Sequence, residues 1–361
     1  PVDLVEEVAR IWGYDRFPHT LIDEELPTLR RNRSLEGEDH VRDILVRLGL
    51  DEIISYSLID PEDESRLNPA PDEAVDLPGE RLILRNALAP ERSLLRRTIL
   101  PGMLRTAWAN HRFLERLAIF ELGHIYYGVG EPDPAAGETG VAEPRRLAML
   151  LTGPREARWW RNAATDDRES LDYFDLKGIV EALLRNLGLV DEASWARGAH
   201  PAYHPGRCAE VSLGDQTLGV LGELHPLVRE VFDLPEQPVM VLEWDLDALL
   251  TVAEGAEDEK EVATISTYAP VHEDLALVVD EGVPALDVQR AIIEAGYPLV
   301  KRALLFDVYR GEQVGAGKKS LAFALSYQAP NRTLSDRDVT KLRKRIIKTV
   351  ERELDAKLRG G

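Results

Sequence analysis

The sequence is short of the features that mark a disulfide scaffold, a membrane span or a nucleic-acid coat. Its single cysteine, Cys208, excludes an intrachain disulfide framework and a zinc cluster built on several thiolates, and it fits a reducing compartment. No run approaches the ~18 uninterrupted apolar residues of a membrane span, so a cytoplasmic protein with no membrane partner is expected. Positive charge is also scarce: 44 Lys and Arg face 64 Asp and Glu, a net of −20. That balance excludes indiscriminate coating of nucleic acid, because overall repulsion opposes the phosphate backbone. There is no G-x-S-x-G elbow and no Walker loop, and no residue is assigned a catalytic role.

The chain does have the means to build cores. Its 361 residues are 44% hydrophobic, enough for two or three compact domains. The scarce positive charge is concentrated: from Lys318 to Gly361 twelve Lys and Arg stand against five Asp and Glu, a net of +7 on the acidic chain. Such a local excess points to a specific, docked contact with a polyanion. Two polar seams divide the chain, one around Pro27 and one over residues 253–263, "AEGAEDEKEVA", which reads as a linker.

Between the seams helices and strands alternate in an α+β pattern. Val41, Ile44, Leu45 and Leu48 recur at helical spacing with Gly49 as a stop, and "DYFDLKGIVEALLRNLGL" is an amphipathic helix ended by Gly188. "PGMLRTAWANHRF" predicts a helix with Pro101 in its first turn, and "RLAIFELGHIYY" a strand buried on both faces. "RCAEVSLGDQTLGVLGEL" predicts a hairpin around Gly214 and Asp215. Hairpin-joined strands favour an antiparallel core over a doubly wound parallel sheet. After residue 264 the order is β-α-β-β-α with a short edge strand at "AKLR", that of a ferredoxin-like split βαβ.

Within that last domain, "SLAFALSY" puts Leu321, Phe323, Leu325 and Tyr327 on one face and Ser320, Ala322, Ala324 and Ser326 on the other. The small face leaves room for a large ligand to approach. In the closing helix Ser335 is an N-cap, and Val339, Leu342, Ile346 and Val350 make the buried stripe. Lys341, Arg345 and Lys348 then fall on its other faces. With Lys318 and Lys319 these cations are candidates for phosphate contacts, although a basic helix face is also an ordinary solvated one.

At the chain's start, Asp3, Glu6 and Glu7 fall on one helical face about a turn apart, which suits a hard cation or simply the acids that a first turn favours. His200 and His204 have zinc-helix spacing, but Pro201 and Pro205 argue against a helix there. Trp159 and Trp160 could stack a base or serve as core or interface aromatics.

Seven stretches, in order, resemble the beta subunit of bacterial phenylalanyl-tRNA synthetase: "DLVEEVARIWGYD", "LRRTILPGMLRTAWANHR", "AIFELGHIYY", "DYFDLKGIVEALL", "HPGRCAEV", "GVLGELHP" and "FDVYRGEQVGAGKKSLAFALSYQAPNRTLSDRDV". The resemblance implies a remnant of a metal-binding domain over 1–26, a class II synthetase-like, non-catalytic antiparallel core over 27–252, and a ferredoxin-fold anticodon-binding domain over 264–361. No convincing G-x-G-x-x-R stretch for ATP is found, since "GVLGELHP" runs on to His225 and Pro226. Catalysis would then lie with an alpha subunit, in an alpha2-beta2 enzyme that joins phenylalanine to its tRNA using ATP. Asp3, Glu6 and Glu7 would be magnesium ligands at the junction with that subunit, with a further Asp six residues before Asp3, beyond this sequence. The chain is accordingly expected to be a C-terminal portion, without the upstream editing domain. Lys318, Lys319, Ala322, Ala324, Lys341 and Arg345 would face the tRNA. The sequence departs from the family at Ala87, commonly Pro, and at Glu273, where a basic residue usually precedes the Asp. A stand-alone RNA-binding module and a purely structural assembly protein are the rival readings.

Overall fold

The computed structural model describes residues 1–20, 31–69, 77–130, 139–156, 158–160, 168–257 and 266–359. The chain divides into two compact units, Pro1–Lys260 and Glu261–Gly361. The seam around Pro27 lies outside the described residues.

In the first unit, helix α1 (Val2–Trp12) ends at Gly13, whose φ of +97° a side chain would strain. Helix α2 (Arg33–Arg47) starts where the Asn32 side chain accepts a hydrogen bond from Leu35 N, and it buries Val41, Ile44 and Leu45. Strand β1 (Asp51–Glu52), strands β2 (Leu58–Ile59) and β3 (Leu94–Leu95), with helix α3 (Pro61–Ser65) in between, and helix α4 (Leu100–Asn110) follow. Next come β4 (Leu117–His124), the short pair β5 (Tyr127–Gly128) and β6 (Val141–Ala142), and β7 (Arg145–Thr152). Helix α5 (Tyr173–Leu187) is held at its start by a reciprocal Asp172–Asp175 capping box and closed by Gly188 in the left-handed region. Strands β8 (Ala193–Arg197), β9 (Tyr203–Leu213) and β10 (Gln216–Leu224), helix α6 (Pro226–Val231), β11 (Val239–Asp245) and helix α7 (Leu246–Glu257) complete the unit. The expected hairpin is β9–β10, turning at Gly214 and Asp215. Helix α7 runs on through Glu257, so the first residues of the stretch read as a linker are helical; 258–263 lie outside the described residues.

Seven strands join in the order β1-β4-β7-β11-β10-β9-β8, with β1 parallel to β4 and the other pairs antiparallel. Helices cover both faces. Phe120, Met149 and Leu242 meet Val41, Ile44, Val180, Leu183 and Leu249 from α2, α5 and α7 on one side. Their neighbours Ile119, Leu150 and Val241 meet Met103 and Leu104 of α4 and Val228 of α6 on the other. Burial on both faces is why these strands carry long apolar runs rather than alternation.

A buried ion pair packs against that sheet. Glu121 and Arg96 are ion-paired at 2.7 Å with side chains only 2% and 4% exposed. Ser55 Oγ donates to the second carboxylate oxygen at 2.7 Å, and Arg96 Nε donates to His124 O at 2.8 Å. A Cβ on Gly123 would lie 2.4 Å from Arg96 Nη2, so the guanidinium occupies space that only glycine leaves. Removing one partner of such a pair strands a buried charge. Arg96→Met is expected to destabilise the intact chain by roughly 3–5 kcal/mol in urea unfolding, and adding Glu121→Leu to recover most of it. A single variant as stable as the parent would contradict this.

The second unit consists of β12 (Val271–Asp280), α8 (Ala285–Gly296), β13 (Val300–Tyr309), β14 (Lys318–Tyr327), α9 (Asp336–Leu354) and β15 (Lys357–Leu358). The four strands are antiparallel in the order β13-β14-β12-β15, as the split-βαβ reading expects, and the edge strand forms at Lys357–Leu358. Both helices lie on one face. Leu342, Ile346 and Val350 of α9 and Val288 and Ile292 of α8 pack on Leu275, Leu277, Leu321, Phe323 and Leu325. The other face of the sheet carries none of this unit's helices.

Candidate nucleic-acid interface

Strand β14 sorts its side chains by parity. Leu321, Phe323, Leu325 and Tyr327 are buried at 0–1% exposure under the helices, while Ala322, Ala324 and Ser326 lie half-buried on the helix-free face. Cross-strand pairing extends that face: His272, Asp274 and Ala276 of β12 stand opposite Ser326, Ala324 and Ala322, and Arg302, Leu304 and Asp307 of β13 stand opposite the same three.

The six residues expected to face RNA separate into three groups. Lys318, Ala322 and Ala324 share the helix-free face, with Lys318 Nζ 3.4 Å from Asp280. Lys319 does not: it has the parity of Leu321, is 9% exposed, and its Nζ donates to Glu281 O at 2.8 Å. Lys341 and Arg345 lie on α9, across the sheet from the alanines; Arg345 Nη2 donates to Tyr297 O at 3.1 Å. The small-residue strip and the helix cations are therefore not one surface.

Other groups frame the strip instead. The Arg359 guanidinium sits 4.7 Å from the centre of the Tyr309 ring and donates to Gln313 Oε1 at 3.0 Å. Tyr309 pairs with Ser320, which is 2% exposed, so the cation–π contact closes one end of the strip. A Cβ on Gly311 would lie 2.4 Å from the Tyr309 hydroxyl oxygen, so Gly311 leaves the ring its place. Lys357, opposite Val278, and Arg302, opposite Ser326, are exposed cations on the same face. Leu304 and Phe306, 45% and 55% exposed, add apolar surface along β13. Reading the sequence by strict alternation misses Arg302 and Tyr309. Strand β13 shifts register between Val300 and Arg302 and again between Leu305 and Asp307, and each shift resets the parity.

Glu273, the departure from the family pattern, lies on the helix-covered face. Its carboxylate pairs with Arg343 of α9 at 3.1 Å and accepts a hydrogen bond from the Tyr327 hydroxyl at 3.1 Å. Burial, and then the Glu273 carboxylate, hold the Tyr327 hydroxyl above its ordinary pKa. The side chain ties α9 to the sheet and leaves the charge of the open face unchanged.

In the first unit, Asp3, Glu6 and Glu7 lie exposed on α1, where Glu7 Oε2 accepts from Arg10 Nη2 at 2.5 Å and from Nε at 3.1 Å. Among the described residues no group of three or more His, Cys, Asp and Glu is placed to hold a metal. These acids alone do not make a magnesium centre. His200 Nδ1 and His204 Nδ1 each accept from a backbone N–H two residues on, and Trp159 and Trp160 meet edge to face at 5.8 Å. Among the described residues no helix is long and apolar enough to cross a membrane.

The Glu273 geometry makes a prediction. Glu273→Lys, which restores the family's charge, should lower the melting temperature of the second unit by placing two cations together, and should leave RNA affinity no tighter. Tighter binding at unchanged stability would place residue 273 on the open face.

The comparisons with known proteins respect the same division of the chain. Residues 17–246 match the phenylalanyl tRNA synthetase beta chain CLM domain, and residues 266–359 the ferredoxin-fold anticodon binding domain. The phenylalanine–tRNA ligase beta subunit of Geobacillus kaustophilus is 37% identical over 359 residues, covering 99% of this chain and 42% of that relative. The corresponding subunit of Moorella thermoacetica is 36% identical over 361 residues, with 99% and 42% covered. The chain thus spans about two fifths of the length of the curated relatives it matches. A solved pyrrolysyl-tRNA synthetase from Desulfitobacterium hafniense overlaps 62% of this chain and 70% of its own at 17% identity; at a TM-score of 0.45 that likeness carries no argument. Two domain models in sequence order, the first covering more than half of the chain, place it in the phenylalanyl tRNA synthetase beta chain family.

Proposed function

We propose that the chain is a C-terminal portion of a phenylalanine–tRNA ligase beta subunit, and that its second unit holds the anticodon region of phenylalanine tRNA on the helix-free face of its sheet. The observation that carries this is the strip of Ala322, Ala324 and Ser326 framed by Tyr309, Arg302 and Arg359, within a domain that matches an anticodon-binding family. Single-stranded loop bases can be splayed onto a sheet where side chains are short, and an aromatic ring at its end gives a base something to stack on. Asp274 and Asp307 flank the alanines. They repel phosphate from the centre of the strip and accept hydrogen bonds from base amino groups, leaving Arg302, Lys318, Lys357 and Arg359 to hold the backbone.

In this reading the first unit is a class II synthetase-like core that scaffolds a catalytic alpha subunit, and the complete enzyme is an alpha2-beta2 cytoplasmic ligase using ATP and magnesium. Asp3, Glu6 and Glu7 are the carboxylates that a magnesium site completed by other segments would use; in this structure Glu7 accepts from Arg10. The match to the beta chain CLM domain over residues 17–246 supports the reading of the first unit as that family's core. Mixing the chain with a cognate alpha subunit should give a complex in light scattering. No complex at micromolar concentrations would favour a stand-alone RNA-binding module.

Filter binding of an anticodon stem-loop tests the open face. Tyr309→Ala should cost roughly 1–3 kcal/mol, and Ala324→Trp should obstruct binding without unfolding the domain. Arg302→Gln and Lys318→Gln should each flatten the salt slope by about 0.7, the single-strand value per phosphate. Lys319→Gln should leave that slope unchanged and act on stability alone. Parent-like affinity in both Tyr309→Ala and Ala324→Trp would rule the face out.

A further inference from the structure

Strands β13 and β15 are the two edges of the second unit's sheet, yet side chains from both edges meet above it. Arg359 follows β15, and its backbone N–H donates to Ala276 O at 2.9 Å. That gives Arg359 the parity of Lys357 and puts its side chain on the helix-free face. Tyr309 closes β13 on the same face, opposite Ser320. Three strand spacings, about 14 Å, separate the two edges, further than either side chain reaches alone. Both side chains therefore lie along the sheet, and the guanidinium comes to 4.7 Å from the ring centre. Ser320 has the parity of Ala322 and Ala324 but is only 2% exposed, consistent with a bridge lying over it.

The bridge is fixed from several sides. Arg359 Nη2 donates to Gln313 Oε1 at 3.0 Å, so the guanidinium is held by the loop that joins β13 to β14. That loop is itself tied down. Arg310, next to Tyr309, donates to Glu281 Oε1 from Nε at 3.0 Å and from Nη2 at 2.9 Å, and the Glu281 N–H donates to Gly317 O at 2.8 Å. A half-buried tyrosine on an edge strand would otherwise share several rotamers, and a base stacking on it would have to fix one of them. With the guanidinium against one face of the ring, the other face is the one left to a base.

We propose that Arg359 is a positioning residue for an RNA loop base: it acts through Tyr309, holding the ring in its stacking orientation before RNA arrives, beyond any phosphate its charge attracts. This rests on the anticodon reading of the open face. A cation kept only for phosphate gains from standing free at the margin, as exposed Lys357 does two residues earlier. Arg359 is half-buried instead, with its guanidinium engaged by a ring and an amide. Arginine suits both tasks at once, because a planar guanidinium can lie against a ring while its N–H groups bond in its own plane. The ammonium of lysine cannot do this.

The test is filter binding of a phenylalanine tRNA anticodon stem-loop to the intact chain across salt concentrations, well below the melting temperature of every variant. Arg359→Lys keeps the charge but gives up the planar stack and the bond to Gln313. It should lose roughly three- to tenfold in affinity while keeping the parent's salt slope. A role in phosphate contact alone predicts parent-like affinity, since lysine also neutralises a phosphate. Gln313→Ala removes an exposed, uncharged partner of the guanidinium and should lose affinity by a smaller factor, again at unchanged slope. The Tyr309→Ala background shows whether the effect passes through the ring: there, adding Arg359→Lys should cost nothing further, because coupled residues are not additive. Parent-like binding by either single variant, or a loss from Arg359→Lys that persists in full without the ring, would overturn the positioning role and leave the anticodon reading standing. A stem-loop that the parent chain does not bind would overturn both.

Discussion

The two-residue period of β14 is the constraint on which the second unit depends. Because successive side chains point to opposite faces, Leu321, Phe323, Leu325 and Tyr327 all enter the core together, and Ala322, Ala324 and Ser326 are all left outside it. The buried four set where Leu342, Ile346 and Val350 of α9 can pack, and so which residues of that helix turn outward. A slip of one residue would exchange the two sets and drive Lys318 and Ser320 toward the helices. The core and the candidate RNA surface are thus two results of one register.

That period is legible in the sequence, and many of its consequences are too. The β-α-β-β-α order, the stop at Gly188, the Ser335 cap and the hairpin at Gly214 all rest on local chemistry that a short window contains. Lys319 is legible as well, since its number shares the parity of Leu321. Reading it as a surface cation weighs charge above alternation, and the fold satisfies its ammonium with a backbone carbonyl instead. The separation of Lys341 and Arg345 from the strip comes from both helices lying on one face, a property of topology that residue types do not carry. Strand β13 is the least legible, because its two register shifts break the pattern that would reveal Arg302 and Tyr309.

Charge is handled differently in the two units. In the first, Glu121 and Arg96 are removed from water and satisfied by each other, Ser55 and a backbone carbonyl, which makes them sensitive to loss of either partner. In the second, the strip mixes Arg302, Lys318, Lys357 and Arg359 with Asp274 and Asp307, so attraction for phosphate is confined to its margins. A chain of net −20 can bind a polyanion only through such local arrangements, and acidic surroundings then penalise any docking that misses them. Glu273 does not weaken this pattern, because its charge is taken up within the fold by Arg343.

The central claim is that RNA loop bases meet the helix-free face of the second unit's sheet. Photo-crosslinking tests it directly, using an anticodon stem-loop with 4-thiouridine in the loop and mapping the adducts by mass spectrometry. The account predicts adducts on β13 and β14, at Phe306, Tyr309 and the segment around Ala322 and Ala324. Adducts confined to α8 and α9 would contradict it.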